Sequence, residues 1–479
     1  MTVPHDAGRI LDVVLDRGSF VSWDAPVTYR PADPAYAAAL ARARADTGLD
    51  EAVVTGEGRV GGRRIAVVVS EFGFLAGSVG AATADRLTAA VRRATAERLP
   101  LLAAPASGGT RMQEGTAAFV RMAAITAAVE EHKAARLPYL VYLRHPTTGG
   151  VLASWGSLGH VTLAEPEALI GFLGPRVYEA LGGTALPEGV QGAENLLANG
   201  VVDLVVAPEL LAGVLAPALD VLAAVPGPPP APAVPDRRKP RSGTAWESML
   251  ISRASGRPGV RRLLEVAATG PVSFGDPGSG LLVALARLHG EACVVVGQDR
   301  YGGPLGPREL RRARRGMRMA ADLGLPLVTV VDTGGAELSR EAEEGGLAAE
   351  LAHCLADLVT LPTPTVSVLL GQGAGGAALA LLPADRIVAA EHGWLSPLPP
   401  EGASALVHRT TERAADLARA QRITAPDLAE AGLVDDLVVE PEDGDEFCHR
   451  IAAATARAVG LVRGAGTGGR RRSGRFAVA

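Results

Sequence analysis

The sequence predicts an α/β protein that contains two tandem copies of one kind of domain. Short aliphatic and β-branched runs alternate with longer segments rich in Ala, Leu and Arg, which is typical of βα units with buried parallel strands. The strand candidates are IAVVVSEF, LPLLAAPA, LPYLVYL and ALIGF in the first half, and ACVVVGQ, LPLVTVV, TPTVSVLLG and RIVAAEH in the second. Matching landmarks recur at a constant spacing in the two halves, and a proline-rich stretch separates them.

Composition along the chain predicts the domain boundaries. The chain has 479 residues, which is more than one hydrophobic core usually accommodates. Residues 223–243 are rich in Pro, then basic, and show no hydrophobic period, so we predict a semi-rigid linker there. The domains are therefore expected at 1–222 and 244–462, and the Gly/Arg-rich residues 463–479 are predicted to be disordered.

Four pairs of adjacent glycines mark the repeat. They are Gly108-Gly109 and Gly149-Gly150 in the first half, and Gly334-Gly335 and Gly375-Gly376 in the second. Each second-half pair follows its first-half equivalent by 226 positions (334 − 108 and 375 − 149). His160 and Arg386 keep this spacing, as do Glu165 and Glu391. Self-similarity at a fixed period indicates an internal duplication.

Each glycine pair follows a predicted strand and precedes a predicted helix. The first N–H groups of a helix lack intrahelical acceptors, and the helix dipole favours negative charge beside them. Two such N–H groups from neighbouring loops form an oxyanion hole. We therefore predict one hole at the two first-half pairs and another at the two second-half pairs. The alternative for any single pair is close packing of strand and helix without a ligand.

A dinucleotide site is a rival interpretation of the second half. GQGAGG, residues 371–376, satisfies the pattern GxGxxG, and Glu391 follows at about the spacing of a ribose-binding acid. The equivalent stretch of the first half reads HPTTGG, which keeps the glycine pair and lacks the pattern. The oxyanion hole therefore explains both halves, whereas the dinucleotide site explains one.

Other kinds of site are poorly supported by the sequence. There is no GxSxG or HExxH motif, and only Lys133 and Lys239 are available as lysine bases, so we expect no metal and no obvious nucleophile. The three separated Cys are typical of a reduced, cytoplasmic enzyme. The net charge of −5 argues against nucleic-acid binding. The sequence shows neither a signal-peptide pattern nor an apolar run long enough for a membrane span.

These motifs resemble the carboxyltransferase of bacterial acetyl-CoA carboxylase, with its β and α subunits fused in one chain. The first half is similar to the β subunit in TGLDEAVVTGEGRVGG, EFGFLAGSVG, ASGGTRMQEG, HPTTGGVLAS, ALIGFLGPRV and LPEGVQGAENLLANGVVD. The second half is similar to the α subunit in AWESMLISRASGRPG, GPLGPRELRRARRGMRMAADLGLP, DTGGAELSREAEEGG, GQGAGGAALA and PPEGASALVHR. The resemblance covers about residues 9 to 440.

The resemblance implies two tandem crotonase-like (ClpP/crotonase) ββα-superhelix domains and a biotin-dependent transferase. CO2 would pass from carboxybiotin, on a separate biotin carboxyl carrier protein, to acetyl-CoA to give malonyl-CoA. The first-half glycines would hold the thioester enolate and the second-half glycines the ureido oxygen of biotin, with biotin itself as the base. A separate biotin carboxylase and a homo-oligomer, in which halves of different chains face each other, are also implied.

Further substrate contacts are carried over on the first-half motifs. The residues are Arg111, Gly77, Ser78, Gly171, Phe172, Gly174 and Pro175. Arg111 is a candidate for a CoA phosphate, and its alternative is an ion pair with Glu114 or another acid. The arginine-rich residues 308–318 have helical spacing and form either a phosphate or carrier contact or a solvated basic face.

The chain also departs from the family pattern. It lacks the four-Cys zinc ribbon of most β subunits, and Gln372 and Gly334 stand where the α subunit usually has Glu and Pro. These departures leave open a longer acyl-CoA substrate, such as propionyl-CoA. A biotin-independent malonyl-thioester decarboxylase and a non-catalytic scaffold subunit are two competing hypotheses for the function.

Overall fold

The computed structural model describes residues 7–27, 31–222 and 243–464. Its contacts divide the chain into two compact units, Met1–Leu219 and Asp220–Ala479, which we call unit 1 and unit 2. The division lies at residue 219 rather than 222, inside a helix. The predicted linker, apart from Gly243, lies outside the described residues, as does the predicted tail beyond Gly464; the final helix extends two residues into that tail.

Unit 1 alternates strands and helices after a short N-terminal helix. Its helices are α1 Ala7–Val14, α2 Pro34–Thr47, α3 Ala81–Ala96, α4 Gly115–Ala134, α5 Gly149–Leu152, α6 Pro175–Gly182, α7 Ala193–Ala198 and α8 Pro208–Leu222. Its strands are β1 Val21–Ser22, β2 Val53–Val60, β3 Arg63–Ser70, β4 Leu101–Ala104, β5 Tyr139–Leu143, β6 Thr147–Thr148, β7 Val161–Ala164, β8 Ile170–Gly171 and β9 Leu204–Val205. Seven strands form one sheet in the order β1-β2-β3-β4-β5-β7-β9, and β6 pairs with β8.

Unit 2 repeats this arrangement with additional helices. Its helices are α9 Ala245–Ser252, α10 Val260–Ala267, α11 Pro307–Leu323, α12 Arg340–Glu344, α13 Leu347–Thr360, α14 Gly375–Leu379, α15 Pro400–His408, α16 Ala414–Ala420, α17 Ala425–Glu430 and α18 Gly444–Gly464. Its strands are β10 Ala268–Phe274, β11 Leu281–Leu288, β12 Glu291–Gln298, β13 Leu327–Thr333, β14 Thr365–Ala374, β15 Arg386–Ala390, β16 Trp394–Ser396 and β17 Asp436–Val438. The sheet order is β10-β11-β12-β13-β14-β15-β17, with β16 beside β14.

The strand equivalences follow the spacing found in the sequence. β13 begins 226 residues after β4 (327 − 101), and β14 begins 226 residues after β5 (365 − 139). The hairpins β2–β3 and β11–β12 are related by 228 residues (281 − 53 and 291 − 63). The central strands β4, β5 and β13 are buried along their whole length, as expected of parallel strands covered on both faces.

The prediction of parallel strands is correct for β3, β4 and β5 and for β12, β13, β14 and β15, and wrong for one side of each sheet. The predicted strand ALIGF instead contains β8, which pairs with β6 outside the main sheet, and β7 was not predicted. β3, β4, β5, β7 and β9 are joined by parallel pairings. β2 pairs with β3 in antiparallel fashion, as β11 does with β12. β2 was missed because its sequence, VVTGEGRV, interrupts the apolar pattern with Gly, Glu and Arg. Among the described residues, no helix has the length and apolar character needed to cross a membrane.

Candidate functional site

The glycine pairs of unit 1 lie side by side just beyond the carboxyl ends of two parallel strands. Beyond the ends of β4 and β5, Ser107 forms one further parallel bridge with Thr147, the first residue of β6. In that bridge the Thr148 N–H donates to the Ser107 carbonyl over 2.8 Å. Gly108 directly follows Ser107, and Gly149 follows Thr147 after one residue, Thr148. We call the four glycines the N-terminal corner: Gly108, Gly109, Gly149 and Gly150.

The backbone of the N-terminal corner leaves no room for side chains between its two halves. Gly109 has φ +106° and Gly149 has φ +66°, both in the region that favours glycine. A Cβ atom on Gly109 would lie 3.1 Å from the Gly150 nitrogen, and one on Gly149 would lie 3.1 Å from the Gly108 carbonyl oxygen. Glycine is therefore required here because main chain packs directly against main chain.

Unit 2 repeats the corner at the same spacing. Thr333 and Gly373 form the parallel bridge equivalent to Ser107 and Thr147, because both residues of the bridge are shifted by 226 positions. Gly335 has φ +136° and Gly375 has φ +66°, so the signs match those of unit 1. We call these glycines the C-terminal corner: Gly334, Gly335, Gly375 and Gly376.

A hydroxyl supports the first turn of each corner. Ser107 Oγ accepts from the Gly109 N–H over 3.0 Å, and Thr333 Oγ1 accepts from the Gly335 N–H over 3.2 Å. The C-terminal corner is the more open of the two. A Cβ atom on Gly335 would meet nothing within 4 Å, whereas Gly109 is closed in by the opposite glycine pair.

Most amides of the N-terminal corner already have acceptors, which corrects the prediction of bare N–H groups. Besides the Gly109 bond, the Gly108 N–H donates to the Ala76 carbonyl over 2.9 Å and the Gly149 N–H to the Phe172 carbonyl over 3.0 Å. Gly150 differs because it is the second residue of α5, where no intrahelical acceptor exists. No acceptor for its N–H is found among the described residues. Its amide is therefore the available donor of this corner.

The corners lie at the surface of their units. Gly108, Gly334 and Gly376 are exposed, and Gly149, Gly150, Gly335 and Gly375 are partly exposed. In α14 the second residue is Gly376, which corresponds to Gly150 in α5. An anionic oxygen approaching from outside would therefore meet a helix start in each unit.

Arg111 has a structural environment that excludes direct phosphate binding. Its side chain is 1% exposed, and its guanidinium donates to both carboxylate oxygens of Glu51, at 2.5 and 3.1 Å. It also donates to the Ser78 carbonyl over 2.8 Å, and the Glu114 carboxylate lies 3.6 Å away. The ion-pair alternative therefore holds, with Glu51 rather than Glu114 as the nearest partner, and the phosphate prediction for Arg111 is corrected.

Gly77 and Ser78 lie behind the N-terminal corner. A Cβ atom on Gly77 would lie 2.0 Å from the Ala106 carbonyl oxygen, and the Gly77 carbonyl accepts from Ser107 Oγ over 2.6 Å. Ser78 is 9% exposed and its hydroxyl donates to the Leu75 carbonyl. Gly77 therefore shapes the turn at Ser107, whereas the contacts of Ser78 are with Leu75 and Arg111.

Gly171, Phe172, Gly174 and Pro175 lie along one edge of the N-terminal corner. Gly171 ends β8, and the next carbonyl, that of Phe172, holds the Gly149 amide. The Phe172 side chain is 67% exposed. Gly174 and Pro175 start α6, none of whose residues is buried. This edge therefore presents apolar surface beside the corner.

The arginine-rich residues 308–318 lie in α11 and many of them are paired. α11 begins at Pro307 and ends before Gly324, which adopts φ +67°. Arg314 contacts Glu350 at 3.2 Å and Asp357 at 2.7 Å, both on α13, and Arg311 contacts Glu350 at 3.2 Å. These contacts favour the interpretation of a basic helix face that is balanced by acids of the neighbouring helix.

The dinucleotide interpretation of residues 371–376 is inconsistent with the local structure. Gly371 and Gly373 lie inside β14, not in a turn. A Cβ atom on either would collide with a neighbour, 2.5 Å from an Asp332 oxygen or 2.6 Å from the Trp394 carbonyl. These glycines serve close packing of the strand, and only Gly376 of the pattern is at a helix start.

A buried polar cluster, which the sequence analysis did not predict, lies beside the C-terminal corner. Asp332 accepts from the Gln372 N–H over 3.0 Å and lies 3.4 Å from an Arg300 nitrogen. Gln298 accepts from the Asp332 N–H over 3.0 Å and donates to the Ala377 carbonyl over 2.7 Å. Burial raises the pKa of Asp332 despite the nearby guanidinium. The signal for this cluster was an acid immediately before Thr-Gly-Gly, at the position that Ala106 occupies in the first half (332 − 226).

Comparisons with known proteins identify relatives of this chain. The model of the carboxyl transferase domain family matches residues 8–444. A probable biotin-dependent acyl-coenzyme A carboxylase beta3 subunit of Mycobacterium tuberculosis (strain ATCC 25618 / H37Rv) is 59% identical over 467 residues, which cover 95% of this chain and 94% of the relative. The acetyl-coenzyme A carboxylase carboxyl transferase subunits beta/alpha of Salinispora arenicola (strain CNS-205) are 39% identical and cover 91% of this chain and 82% of the relative.

A solved structure shares the fold. Transcarboxylase 12S, solved with methylmalonyl-coenzyme A and methylmalonic acid bound, gives a TM-score of 0.76 at 20% identity. The match covers 96% of this chain and 89% of that one. The fold of this chain therefore matches that of transcarboxylase 12S, and at this low identity the match assigns no role to any residue.

Proposed function

Because the chain belongs to the carboxyl transferase domain family, we propose that it transfers a carboxyl group from carboxybiotin on a separate carrier protein to an acyl-CoA. With acetyl-CoA as acceptor the product is malonyl-CoA, and with a longer acyl-CoA it is the corresponding 2-carboxyacyl-CoA. A biotin carboxylase on another chain supplies the carboxybiotin. The relatives carry both acetyl-CoA and general acyl-CoA names, so the acyl chain is a question for assay.

The observation that supports this proposal is the repeated corner. Two units carry glycine pairs with the same spacing, matching φ signs and a matching strand bridge. A shared backbone geometry suits a shared task, which is the stabilisation of negative oxygen on two cosubstrates. Such stabilisation by preorganised N–H groups is commonly the largest single contribution to acyl-group chemistry.

We assign the acyl-CoA thioester to the N-terminal corner. The Gly150 N–H would donate to the thioester oxygen as the adjacent carbon loses its proton and charge develops on that oxygen. The Gly109 amide would share its hydrogen between Ser107 Oγ and the same oxygen. The absence of side chains at Gly109 and Gly149 lets the two glycine pairs pack against each other, which fixes the position of the Gly150 donor.

We assign the biotin headgroup to the C-terminal corner, where the residues fit a flat ring. Gly335 has open space on the side where a Cβ atom would stand, and Gly334 and Gly376 are exposed. Bound carboxybiotin would supply the CO2 and, after its loss, the ureido anion of biotin that takes up the α-proton of the acyl-CoA. The chain's own contribution is to hold both oxygens and to orient the reactants, which is worth many orders of magnitude in rate for well-aligned pairs.

We further assign the crotonase-like class to each unit, and a homo-oligomer to the working enzyme. Both assignments rest on the family resemblance. Direct transfer requires an assembly that brings the acyl-CoA and the biotin headgroup together.

The decisive experiment is carboxylation by the purified chain with a biotin carboxylase, ATP, bicarbonate and a biotinylated carrier protein. Acetyl-, propionyl- and butyryl-CoA are compared, and fixation of labelled bicarbonate into acid-stable product is measured. We expect activity with at least one acyl-CoA, abolished by avidin. The relative kcat/KM values then identify the acyl chain.

Two outcomes would contradict the proposal. Avidin-insensitive release of CO2 from a malonyl thioester would identify a decarboxylase. Absence of transfer with every acyl-CoA, from a folded chain and a carrier proven to be carboxylated, would identify a non-catalytic subunit. Gly150→Val and Gly376→Val test the site, because each places a branched side chain at a helix start whose N–H group should donate to a substrate oxygen.

A further inference from the structure

The two corners share their backbone and differ in one polar side chain. Gln372 lies three residues before Gly375, and the equivalent residue of the first half is Pro146 (372 − 226). Proline has no hydrogen-bond donor, whereas the glutamine side chain carries two N–H donors and one oxygen acceptor. The glycine backbone, which both corners share, suits the chemistry common to both ligands. A side chain that only one corner has, such as that of Gln372, suits the recognition of one ligand.

Gln372 is placed at the C-terminal corner. Its backbone N–H donates to Asp332, which fixes the end of β14. Its side-chain oxygen lies 4.0 Å from the position of a Cβ atom on Gly334 and is the nearest atom to that position. The Gln372 side chain is partly exposed. The amide therefore borders the open side of the corner.

Arg253 fixes which way the Gln372 amide faces. Arg253 Nε donates to Gln372 Oε1 over 3.2 Å. A guanidinium can only donate, so the amide oxygen must face Arg253 and the NH2 group must face away from it. Within residues 7–27, 31–222 and 243–464, the Gln372 NH2 group has no acceptor.

Arg253 is itself held from two sides. Its two terminal nitrogens contact the Glu401 carboxylate at 2.5 and 3.2 Å, a bidentate arrangement. Its guanidinium carbon lies 5.6 Å from the ring centroid of Trp394, which is fully buried and donates to Ser252 Oγ over 2.9 Å. The hydrogen bonds from Arg253 keep the Glu401 pKa below its usual range, so this pair stays charged.

We propose that the Gln372 side-chain amide donates a hydrogen bond to an oxygen of the carboxylated biotin headgroup, and that Arg253 is the positioning residue that turns the donor toward it. This inference rests on the assignment of biotin to the C-terminal corner. Gln372 thereby adds a side-chain donor to the backbone donors of that corner. The N-terminal corner, with Pro146 at the same place, has no counterpart.

The test uses reverse transfer, from the malonyl- or alkylmalonyl-CoA that proves active to the biotin amide biocytin. Gln372→Met removes the donor at similar volume, and Gln372→Glu keeps the shape and the contact with Arg253 but is a pure acceptor when ionised. We expect kcat/KM for biocytin to fall about 10-fold or more in both, as is typical for loss of a hydrogen bond to a charged group. The KM for the acyl-CoA donor should stay within about two-fold.

The positioning role is tested by a double-mutant cycle. Arg253→Met should lower kcat/KM for biocytin in the wild-type background and add little in the Gln372→Met background, because it acts through that amide. Gln421→Glu, an exposed change in the same unit, serves as the matched control. Melting temperatures are recorded for every variant.

The outcomes separate this inference from the proposed function. Unchanged kcat/KM for biocytin in folded Gln372→Met or Gln372→Glu overturns the inference while leaving the transferase assignment intact. Equal losses for biocytin and for the acyl-CoA also overturn it, since they would indicate general disturbance. A wild-type chain without any transfer activity overturns the proposed function first.

Discussion

Gly149→Ala tests the direct packing of main chain on main chain in the N-terminal corner. Gly149 has φ +66°, and an added Cβ atom would lie 3.1 Å from the Gly108 carbonyl oxygen and 3.2 Å from Gly109 Cα. Both neighbours are backbone atoms, so they cannot move aside as the end of a flexible side chain would. The two glycine pairs must therefore separate by a few tenths of an ångström.

The size of the effect follows from two contributions. Placing a Cβ atom in the left-handed region costs about 1–2 kcal/mol of stability. Gly48 isolates this contribution because it has φ +70° and nothing within 4 Å of its Cβ position. The second contribution is displacement of the Gly150 donor. A misplacement of about 1 Å can cost about 10²-fold in rate, so a few tenths of an ångström are expected to cost about 10-fold in kcat/KM.

The assay compares Gly149→Ala, Gly48→Ala and Gly375→Ala in reverse transfer to biocytin, together with urea unfolding. Gly149→Ala should lose at least as much stability as Gly48→Ala, because its Cβ atom also meets backbone atoms, and of these two variants only Gly149→Ala should lose kcat/KM for the acyl-CoA. Gly375 has the same φ of +66° but its Cβ position is 3.4 Å from the Pro397 carbonyl oxygen, an ordinary contact. Its alanine variant should therefore lose less activity than Gly149→Ala.

Full activity of a folded Gly149→Ala would refute the reasoning. It would mean that the corner can open without moving the donor, or that the acyl-CoA is held elsewhere. A loss of activity in Gly48→Ala of the same size would also refute it, because the effect would then come from backbone strain in general.

Two further predictions concern buried ionisable side chains of unit 1. His132 is buried, and burial lowers its pKa from 6.5 to about 4, so the unfolded chain binds a proton that the folded chain refuses between these values. The free energy of unfolding should therefore fall by about 2 kcal/mol between pH 7 and pH 5. Urea unfolding at the two pH values measures this loss. It should shrink in His132→Gln and persist in His353→Gln, a change at an exposed histidine that serves as the control. Arg111→Met leaves the Glu51 carboxylate buried without its partner and should cost about 3–5 kcal/mol in urea unfolding, with part regained when Glu51→Leu is added; equal stability of the single and double variants would contradict this.

The sequence sufficed to predict the glycine corners, because their spacing repeats and because glycine has a physical reason to stand there. It also identified the apolar central strands, whose burial leaves a continuous pattern. The sequence could not predict which of the glycine N–H groups already donate to an acceptor within the protein. The acceptor for the Gly149 N–H is the carbonyl of Phe172, and that for the Gly108 N–H is the carbonyl of Ala76. Every residue type has a backbone carbonyl, so the sequence does not show which one will act as an acceptor.

The role of Arg111 shows the same limit. Its principal partner, Glu51, is 60 residues away in the sequence, on the other side of three strands (β2, β3 and β4) and the helix α3. Glu114, three residues away, was the nearer candidate by sequence and is the more distant by structure. Long-range ion pairs of this kind depend on the packing of elements, which local patterns do not encode.

Because the two corners are made of peptide groups, their donors carry no proton that is lost or gained between acidic and alkaline conditions. Any pH dependence of the turnover rate must then originate in the reactants, the carrier or the supporting side chains, and not in the backbone donors of the corners. A binding site made of main-chain donors also tolerates change in the surrounding side chains, so a duplicated corner suits the two different ligands that we propose for it.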